Sequence, residues 1–297
     1  MAKGLVFIHG SVRFVWSIII SCMISTFDAS ELEKLYKPPA DSSKGENGQI
    51  AIIGGSKLFH GAPLFALTTA SRIVDMVFFA SPEPSIREVA NKIKSKLFSF
   101  IWIPWEETEE YIKKSDAVLV GPGFMRFDSE KKEKNTNELG REGMETKIIT
   151  EKFLKKFPDK KWVIDAGSLQ VLNPDWIPEN AVLTPNKREY KMLFNDMEPR
   201  DAAKKYKCVI VDKGPTTFVY SFNDSIEVLG GNPGLTKGGS GDVEAGLTVA
   251  LLAKNDPFLA AAASSFIVKR AADELYKKVG VNYNSDDLVG EIPQILR

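Results

Sequence analysis

A glycine-rich run from Gly230 to Gly246, GGNPGLTKGGSGDVEAG, leads directly into the apolar segment AGLTVALLA. Seven of the chain's 22 glycines fall within this run. Glycine has no Cβ, so the backbone can adopt positive φ angles and approach a ligand closely, and the apolar segment that follows has helical character. A helix N-terminus binds anions through its unpaired N–H groups and its dipole. The run therefore predicts a site suited to phosphate at the start of a helix.

Asp242 lies inside this predicted anion site and has two interpretations. As a general base, its carboxylate would take a proton from a substrate hydroxyl as that oxygen attacks phosphorus. As a helix cap, it would complement the dipole and the unpaired N–H groups of the first turn. The residue type fits both roles, and the sequence leaves them open.

Strands of buried character alternate with helices along most of the chain. The apolar segments QIAII, VDMVFFA and AVLV are typical of strands, whereas HGAPLFALTTASRI and PSIREVANKIKSKL are typical of helices. This alternation predicts right-handed crossovers and a mostly parallel sheet that helices cover on both faces. CVIVDKG, TTFVYSF and SIEVLGG are three further strands, the last two antiparallel around Asn223 and Asp224. Ligands bind such sheets at the carboxyl ends of strands, where Gly121 and Gly123 serve either a tight turn or a ligand contact.

Length, charge and cysteine usage exclude several classes of function. A chain of 297 residues, 43% of them hydrophobic, is large enough for one sizeable α/β domain. Lys plus Arg and Asp plus Glu both number 39, so no overall field attracts nucleic acid or an anionic membrane. Cys22 and Cys208 lack CxxC spacing, and two histidines cannot build a His-rich metal site. We expect a cytoplasmic protein without a disulfide framework or a zinc site.

Residues 1–47 are expected to form an N-terminal extension and linker ahead of one domain over residues 48–297. Lys3 and Arg13 precede FVWSIIISCMI, an apolar run of signal-peptide length that lacks an A-x-A site and is too short to span a bilayer. A secretory signal, a poorly fixed extension and an extra packed helix all remain open for this run. The polar segment KPPADSSKGENG then predicts a linker.

The segment NPGLTKGGSGDVEAG resembles the G-[ST]-G-D signature of ribokinase-like enzymes, most closely that of the ADP- or ATP-dependent NAD(P)H-hydrate dehydratases. GGSKLFHGAP, VGPGF, VIDAGSL, LTPNKRE and VDKG match the same family in the same order, from about Gly48 to Leu296. The resemblance implies a ribokinase-like three-layer α/β/α sandwich with a mostly parallel central sheet, assembled as a homo-oligomer. It also implies a carbon–oxygen lyase that repairs hydrated NADH or NADPH, with Mg²⁺ and with ADP or ATP as phosphoryl donor.

Site residues follow from the resemblance position by position. The matching nucleotide-binding positions are Lys213, Gly214, Thr217, Gly238, Gly239, Ser240 and Gly241. The matching substrate-binding positions are Ala62, Gly123, Asn186 and Asp242, and Asp242 is also the catalytic base. Asp165 and Glu189 are candidates for ordering a metal ion, with helix capping as the alternative for Glu189. Without the resemblance, a lone lysine at a strand end such as Lys213 would be taken as exposed.

Several positions depart from the family pattern. Met125 stands where the family commonly has glycine, and Gly167 stands where it usually has a second acid. Asn186 replaces a substrate-contacting histidine, and an amide can donate and accept hydrogen bonds but cannot carry charge. Phe59 and His60 replace a Tyr-Thr pair, and we expect His60 to lie at a pocket rim or on the surface rather than to act as a base.

Two other functions fit the same motifs. A small-molecule kinase of the same fold would use Asp242 and the glycine-rich loop, but its phosphorylated product would persist. A nucleotide-binding homologue without catalysis would have lost turnover through the changes at Met125, Gly167 and Asn186. The retained GSGD sequence argues against this second alternative.

Overall fold

The computed structural model describes residues 24–93, 97–125 and 136–296, and the structural statements that follow concern these ranges. Almost all of the apolar run FVWSIIISCMI, together with Cys22, lies outside the described residues. The open question of a secretory signal or an extra helix therefore stays a prediction.

One large sheet forms the centre of the molecule. In chain order, its strands β1 to β10 are Ser25–Thr26, Gln49–Ile53, Met76–Ala80, Ile101–Trp102, Ala117–Val120, Lys161–Ile164, Val182–Leu183, Val209–Asp212, Thr217–Tyr220 and Ser225–Val228. Their spatial order within the described residues is β1-β10-β9-β8-β7-β6-β5-β2-β3-β4. Strand β2 pairs with both β3 and β5, so the winding of the chain reverses direction at this strand.

Most strand pairs are parallel, as the alternating pattern predicts. The exceptions are β8 with β9 and β9 with β10, which are antiparallel. The turn between β9 and β10 closes through the Ser221 N–H, which donates to the Asp224 carbonyl at 2.8 Å. The predicted antiparallel pair around Asn223 and Asp224 is confirmed, and β8, β9 and β10 form a three-stranded antiparallel section next to the edge strand β1.

Helices cover both faces of the sheet. In chain order, α1 to α10 are Gly61–Ala70, Pro84–Ile93, Thr108–Lys114, Thr136–Lys156, Ala166–Val171, Lys187–Phe194, Pro199–Tyr206, Ser240–Leu252, Pro257–Val279 and Ser285–Ile295. Ile50 and Ile52 of β2 face a core with α1, α2, α8, α9 and α10, whereas Ala51 and Ile53 face a core with the other helices. Alternate residues of a strand point to opposite faces, so each central strand joins the two cores. The predicted α/β/α layering is confirmed.

Helix α8 is buried between two neighbouring helices. A Cβ at Gly246 would lie 2.4 Å from the Ala66 carbonyl oxygen of α1, so glycine permits the close packing of α1 on α8. On the other side, the alanine-rich start of α9 packs against α8, and Thr248 and Ser264 share a hydrogen bond of 2.7 Å. This packing fixes the position of the N-terminus of α8, which follows the glycine-rich run.

The chain ahead of residue 48 contributes to the fold. Strand β1 pairs with β10, and the Phe27 N–H donates to the Glu227 carbonyl at 2.8 Å. Phe27 and Leu35 are buried, and the Tyr36 N–H donates to Asn255 at 2.7 Å. Residues 24–36 thus pack on the domain, while the boundary between residues 47 and 48 stays a prediction. Across the described ranges, every helix is too short or too polar to cross a membrane.

Candidate functional site

The glycine-rich run forms a short loop and the first turn of α8. Gly239 is the N-cap, with φ 95°, a left-handed conformation that favours glycine. The Ser240 hydroxyl donates to the Leu235 carbonyl at 2.6 Å, and the Ser285 hydroxyl donates to the Gly238 carbonyl at 2.8 Å. These bonds fix the loop ahead of α8, and the anion site that the sequence predicts at this helix N-terminus stays a prediction.

Asp242 lies in the first turn of α8, three positions after the N-cap. The N-cap, where a side chain stabilises a helix most, is Gly239 and not Asp242. Its carboxylate is one of the charges that raise the pKa of Lys213. The geometry therefore brings Asp242 to the anion site, and the choice between general base and dipole partner stays a prediction.

Lys213 follows β8 and joins the carboxyl ends of two strands to α8. Its Nζ lies 3.8 Å from Asp165 Oδ1 and 3.8 Å from Glu244 Oε2. A Cβ at Gly241 would lie 3.7 Å from the same Nζ, so the ammonium lies beside the first turn of α8. Burial acts to lower the pKa of Lys213, but the surrounding carboxylates outweigh it and raise the pKa above its ordinary value; they are Asp165, Glu244, Glu189 and Asp242. Lys213 is therefore cationic at neutral pH.

Asp165 follows β6 and is buried. It accepts a hydrogen bond of 2.7 Å from the Thr184 hydroxyl, in addition to its contact with Lys213. Its role is thus to order the ends of β6 and β7 around the lysine.

Asn186 and Glu189 form a capping box at the start of α6. The Asn186 side chain accepts hydrogen bonds from the N–H groups of Arg188 and Glu189, each at 2.9 Å. The Glu189 carboxyl accepts from the Asn186 N–H and from Gln170, each at 3.0 Å. Burial, followed by repulsion from Asp165, raises the pKa of Glu189. The capping alternative for Glu189 is present in the structure, while the predicted substrate contact of Asn186 stays a prediction.

The described residues hold no group of three or more His, Cys, Asp or Glu side chains arranged to bind a metal ion. Lys213 lies between Asp165 and Glu244, where it compensates their charge. Mg²⁺ is commonly held by one or two carboxylates together with substrate phosphates, so the metal contacts expected of Asp165 and Glu189 stay a prediction.

A cavity of about 500 Å³ opens beside Lys213, and we name it the β8–α8 cavity. Its volume falls in the range of small-molecule sites. The turn after β8, the loop after β10, the first turn of α8 and one face of α9 line it. Five of the seven predicted nucleotide-binding residues are among its lining residues: Lys213, Gly214, Thr217, Ser240 and Gly241. Gly238 and Gly239 precede the α8 turn and are not among them.

Three polar residues of α8 and α9 that line this cavity were not predicted: Glu244, Ser265 and Lys269. The Ser265 hydroxyl donates to Glu244 Oε1 at 2.6 Å. Lys269 Nζ donates to three backbone carbonyls. The sequence does carry a signal for Glu244 and Lys269, because each places a charged side chain in an otherwise apolar face of its helix, α8 or α9. Their partners are set by helix packing, which the local pattern does not contain.

The loops at residues 54–60 and 121–125, after β2 and β5, form a second region that we name the glycine corner. Gly123 lies there, and Ala62 lies in the first turn of α1. Gly121 has φ 119°, and a Cβ at this position would lie 1.9 Å from the Asp165 carbonyl oxygen. A cavity of about 60 Å³ lies beside this corner. Close backbone packing therefore accounts for Gly121, and any ligand contact of Gly123 or Ala62 stays a prediction.

Two departures from the family pattern are linked at this corner. A Cβ at Gly167 would lie 2.5 Å from the Phe124 carbonyl oxygen, so the loop after β5 packs directly on the start of α5. The adjacent Met125 is buried, and its carbonyl accepts from the Thr146 hydroxyl at 2.9 Å. The loop conformation that includes Met125 therefore excludes an acidic side chain at position 167.

The glycine corner and the anion site are neighbours. Phe65 lies one turn after Ala62 on α1, and a Cβ at Gly239 would approach its ring to 2.7 Å. His60 precedes α1, and its buried Nε2 has no hydrogen-bond partner within the described structure. The predicted residues thus converge on one edge of the sheet.

Comparisons with known proteins point to one family. The family model of NAD(P)H-hydrate dehydratase matches residues 50–294. A bifunctional NAD(P)H-hydrate repair enzyme of Methanocaldococcus jannaschii is 36% identical over 90% of this chain and 52% of its own length. An ADP-dependent (S)-NAD(P)H-hydrate dehydratase of Cenarchaeum symbiosum is 29% identical over 86% of this chain and 91% of its own length. The chain spans about half the length of the bifunctional relatives that it matches.

Solved structures show the same fold. The ADP/ATP-dependent NAD(P)H-hydrate dehydratase of Bacillus subtilis, co-crystallized with ATP and Mg²⁺, superposes with a TM-score of 0.73 at 19% identity, over 92% of this chain and 98% of that one. A ribokinase-like superfamily protein of Enterococcus faecalis gives a TM-score of 0.74 at 20% identity, over 92% and 95%. The predicted ribokinase-like fold is confirmed.

Proposed function

The chain belongs to the NAD(P)H-hydrate dehydratase family, and we propose that it returns hydrated NADH or NADPH to NAD(P)H at the expense of ADP or ATP. Water added to the nicotinamide ring leaves a hydroxyl that is a poor leaving group. Transfer of the terminal phosphoryl group to that oxygen, which leaves AMP or ADP, makes it a good leaving group. Loss of phosphate from one ring carbon and of a proton from its neighbour then restores the dihydropyridine. The β8–α8 cavity, with a cationic lysine beside the N-terminus of α8, is the observation that carries the proposal.

Asp242 supplies the base in this proposal. It takes the proton of the ring hydroxyl as that oxygen attacks the terminal phosphorus of the nucleotide. The N–H groups of residues 238–241 stabilise the charge that develops on the transferring phosphoryl oxygens, because they are already oriented before the reaction. The first turn of α8 supports both roles, since it brings a carboxylate and an anion site within one helical turn.

Lys213 supplies a positive charge beside the transferring group. Its raised pKa keeps it protonated through the neutral range, and its contacts with Asp165 and Glu244 hold the ammonium near Gly241. We assign it to the nucleotide phosphates, with Gly214 and Thr217 in the same wall of the cavity.

We also propose Mg²⁺ as the cation that accompanies the nucleotide. Asp165 and Glu189 would hold it together with phosphate oxygens, and it would supply Lewis-acid neutralisation of phosphate charge. Ala62, Gly123 and Asn186 are assigned to the hydrated nicotinamide nucleotide. A cytoplasmic location and a homo-oligomer complete the proposal; sedimentation of the purified protein tests the latter.

One assay tests the proposed reaction. The protein is incubated with hydrated NADH and with ADP or ATP plus Mg²⁺, and the return of dihydronicotinamide absorbance is followed. We expect recovery that depends on nucleotide and releases one phosphate per NADH formed. Accumulation of a stable phosphorylated product would instead identify a kinase. If neither product forms, while nucleotide still raises the melting temperature of the folded protein by mass action, the protein binds nucleotide without this catalysis.

A further inference from the structure

Lys269 is a buried lysine of α9 whose hydrogen bonds all go to the backbone. Its Nζ donates to the carbonyls of Pro215 at 2.7 Å, Val228 at 3.1 Å and Gly214 at 3.3 Å. An ammonium has three donors, and here three acceptors match them. Burial lowers the pKa of Lys269, and the carboxylates of Glu244 and Asp273 offset this lowering only in part.

Burial of this charge has an energetic cost. A lysine is rarely as fully buried as Lys269, which is 5% exposed, unless it is paired, and a methionine would fill similar space without desolvating a charge. Three charge-assisted hydrogen bonds offset part of that cost, and they also hold their three acceptor carbonyls in place.

Two of the three carbonyls belong to residues that line the β8–α8 cavity, and the third belongs to the strand end that leads into its opposite wall. Gly214 and Pro215 form the turn that directly follows Lys213, and Val228 is the last residue of β10, ahead of the Gly230–Gly231 wall. Lys269 thus joins the turn after β8 to the end of β10 from beneath the cavity. Movement of the turn would move Lys213 with it.

Lys213 is also held from the side of α8. Glu244 Oε2 lies 3.8 Å from Lys213 Nζ, and its other oxygen accepts from Ser265, one turn before Lys269 on α9. The packed pair of helices α8 and α9 therefore holds both the ammonium of Lys213 and the turn that carries it.

We infer that Lys269 is a positioning residue for nucleotide binding: it holds the Gly214–Pro215 turn so that Lys213 faces the first turn of α8. The inference rests on the proposed function, because it takes the ligand of the cavity to be a nucleotide. Lys269 acts through the turn, since its three donors are already engaged by carbonyl oxygens.

Lys161 offers a matched control elsewhere in the fold. Its Nζ also donates to backbone carbonyls, those of Leu252 at 3.1 Å and Asn255 at 3.2 Å, and burial also lowers its pKa. It lies at the amino end of β6, whereas the cavity lies at the carboxyl ends of the strands. Lys161→Met thus removes the same kind of interaction without touching the cavity.

The experiment measures binding of Mg²⁺-ADP and Mg²⁺-ATP by calorimetry to the wild-type protein, Lys269→Met, Lys269→Arg and Lys161→Met. We expect Lys269→Met to weaken nucleotide affinity roughly 10- to 100-fold, because a displaced Lys213 would lose a charge-assisted contact with phosphate. Lys269→Arg should recover part of that loss, because it restores charged donors. The nucleotide affinity of Lys161→Met should stay within about two-fold of wild type, even if its melting temperature falls as much as that of Lys269→Met.

Wild-type affinity in folded Lys269→Met overturns the inference, as does an equal loss in Lys161→Met. If Lys269→Met does not fold, Lys269→Gln takes its place with the same two outcomes, since two donors would then serve three acceptors. The hydrate assay on wild-type protein is read separately. Nucleotide binding without dehydration would refute the proposed reaction and leave the role of Lys269 intact, whereas absence of nucleotide binding by the wild type would refute both.

Discussion

The β8–α8 cavity and the glycine corner lie side by side at the carboxyl edge of the sheet but are built differently. The cavity measures about 500 Å³, and charged side chains determine its chemistry: Lys213, Glu244 and Lys269. The corner has a cavity of about 60 Å³, and its shape comes from backbone atoms packed where a side chain has no room, as at Gly121 and Gly167. One region is thus defined by charge and the other by backbone contact.

This difference predicts how each region responds to mutation. Beside the cavity, in the first turn of α8, an isosteric change alters charge while the helix backbone stays in place, so function should change more than stability. At the corner, any added side chain must move the backbone, so stability should change first.

Asp242→Asn should produce the largest change, on the cavity side. An amide cannot accept the proton, and general-base catalysis contributes about 10²–10⁴-fold, so we expect turnover to fall by about that factor. Nucleotide affinity should be retained or slightly tightened, because a negative charge near phosphate is removed. Dehydration rate and nucleotide binding are measured on the same folded variant. Near-normal turnover would mean that Asp242 only complements the helix dipole.

Gly121→Ala should chiefly destabilise the fold, on the corner side. The added Cβ would meet the Asp165 carbonyl oxygen at 1.9 Å, and φ 119° is strained for alanine. We expect a loss of roughly 2–4 kcal/mol in unfolding free energy, measured by denaturant titration. Gly290→Ala, in α10, is the control, since a Cβ there meets nothing within 4 Å. It should be neutral or stabilising by up to about 1 kcal/mol. Equal stability of Gly121→Ala and Gly290→Ala would contradict the view that backbone contact defines the glycine corner.

Asn186→Ala should have an intermediate effect on stability. Together with Asn186→Ser, it shows whether Asn186 only caps α6 or also contacts substrate. Loss of the N-cap of α6 should cost about 0.5–2 kcal/mol of unfolding free energy. Asn186→Ser keeps a capping oxygen and should restore most of that stability. If Asn186 also contacts substrate, the serine variant will be stable yet have a raised KM for hydrated NADH. A normal KM in that variant would assign Asn186 to capping alone.

Glu189→Gln should have the smallest effect, seen as a change in pH dependence. The folded-state pKa of Glu189 is raised above 4.5, so the folded state binds more protons than the unfolded state. Stability therefore falls as pH rises from 4.5 through the raised pKa. The glutamine variant cannot titrate, so its unfolding free energy should fall less steeply over that range. Chemical unfolding at a series of pH values measures both slopes.

Glu109→Gln provides a control of opposite sign. Hydrogen bonds from Lys156 and Lys152 hold the pKa of Glu109 at about 2, so its contribution to stability is present above 4.5 and is lost as pH falls toward 2. Both lysines are exposed and Glu109 is partly exposed, so the effect should be small. A slope that changes equally in both variants would show that Glu189 is not a buried acid of the kind described.

The sequence was most informative where structure depends on neighbours along the chain. The glycine-rich loop, the helix after it and the strand ends near Gly121 and Lys213 are local patterns, and each was predicted correctly in position. Residues 25–26, in contrast, pair with β10 about 200 residues away, and no local signal indicates that partner. From its residue type alone, Lys269 would be expected to face solvent. The packing of α9 on β10 turns it inward.

Asn186 shows the same limit within the site. Its residue type fits both a cap and a ligand contact, and hydrogen-bond geometry was needed to establish the cap. The roles of the site residues toward ligand remain predictions, because they depend on a bound molecule rather than on the fold.

The two edges of the sheet have a consequence for behaviour in concentrated solution. An exposed edge strand offers a row of unpaired backbone groups onto which another chain can add, and short edge strands limit such growth. In the described part of the chain, β1 ends one side of the sheet with two residues and β4 ends the other with two. Each edge therefore offers an incoming strand a template of about one hydrogen-bonded pair, and the folded protein should resist β-type aggregation.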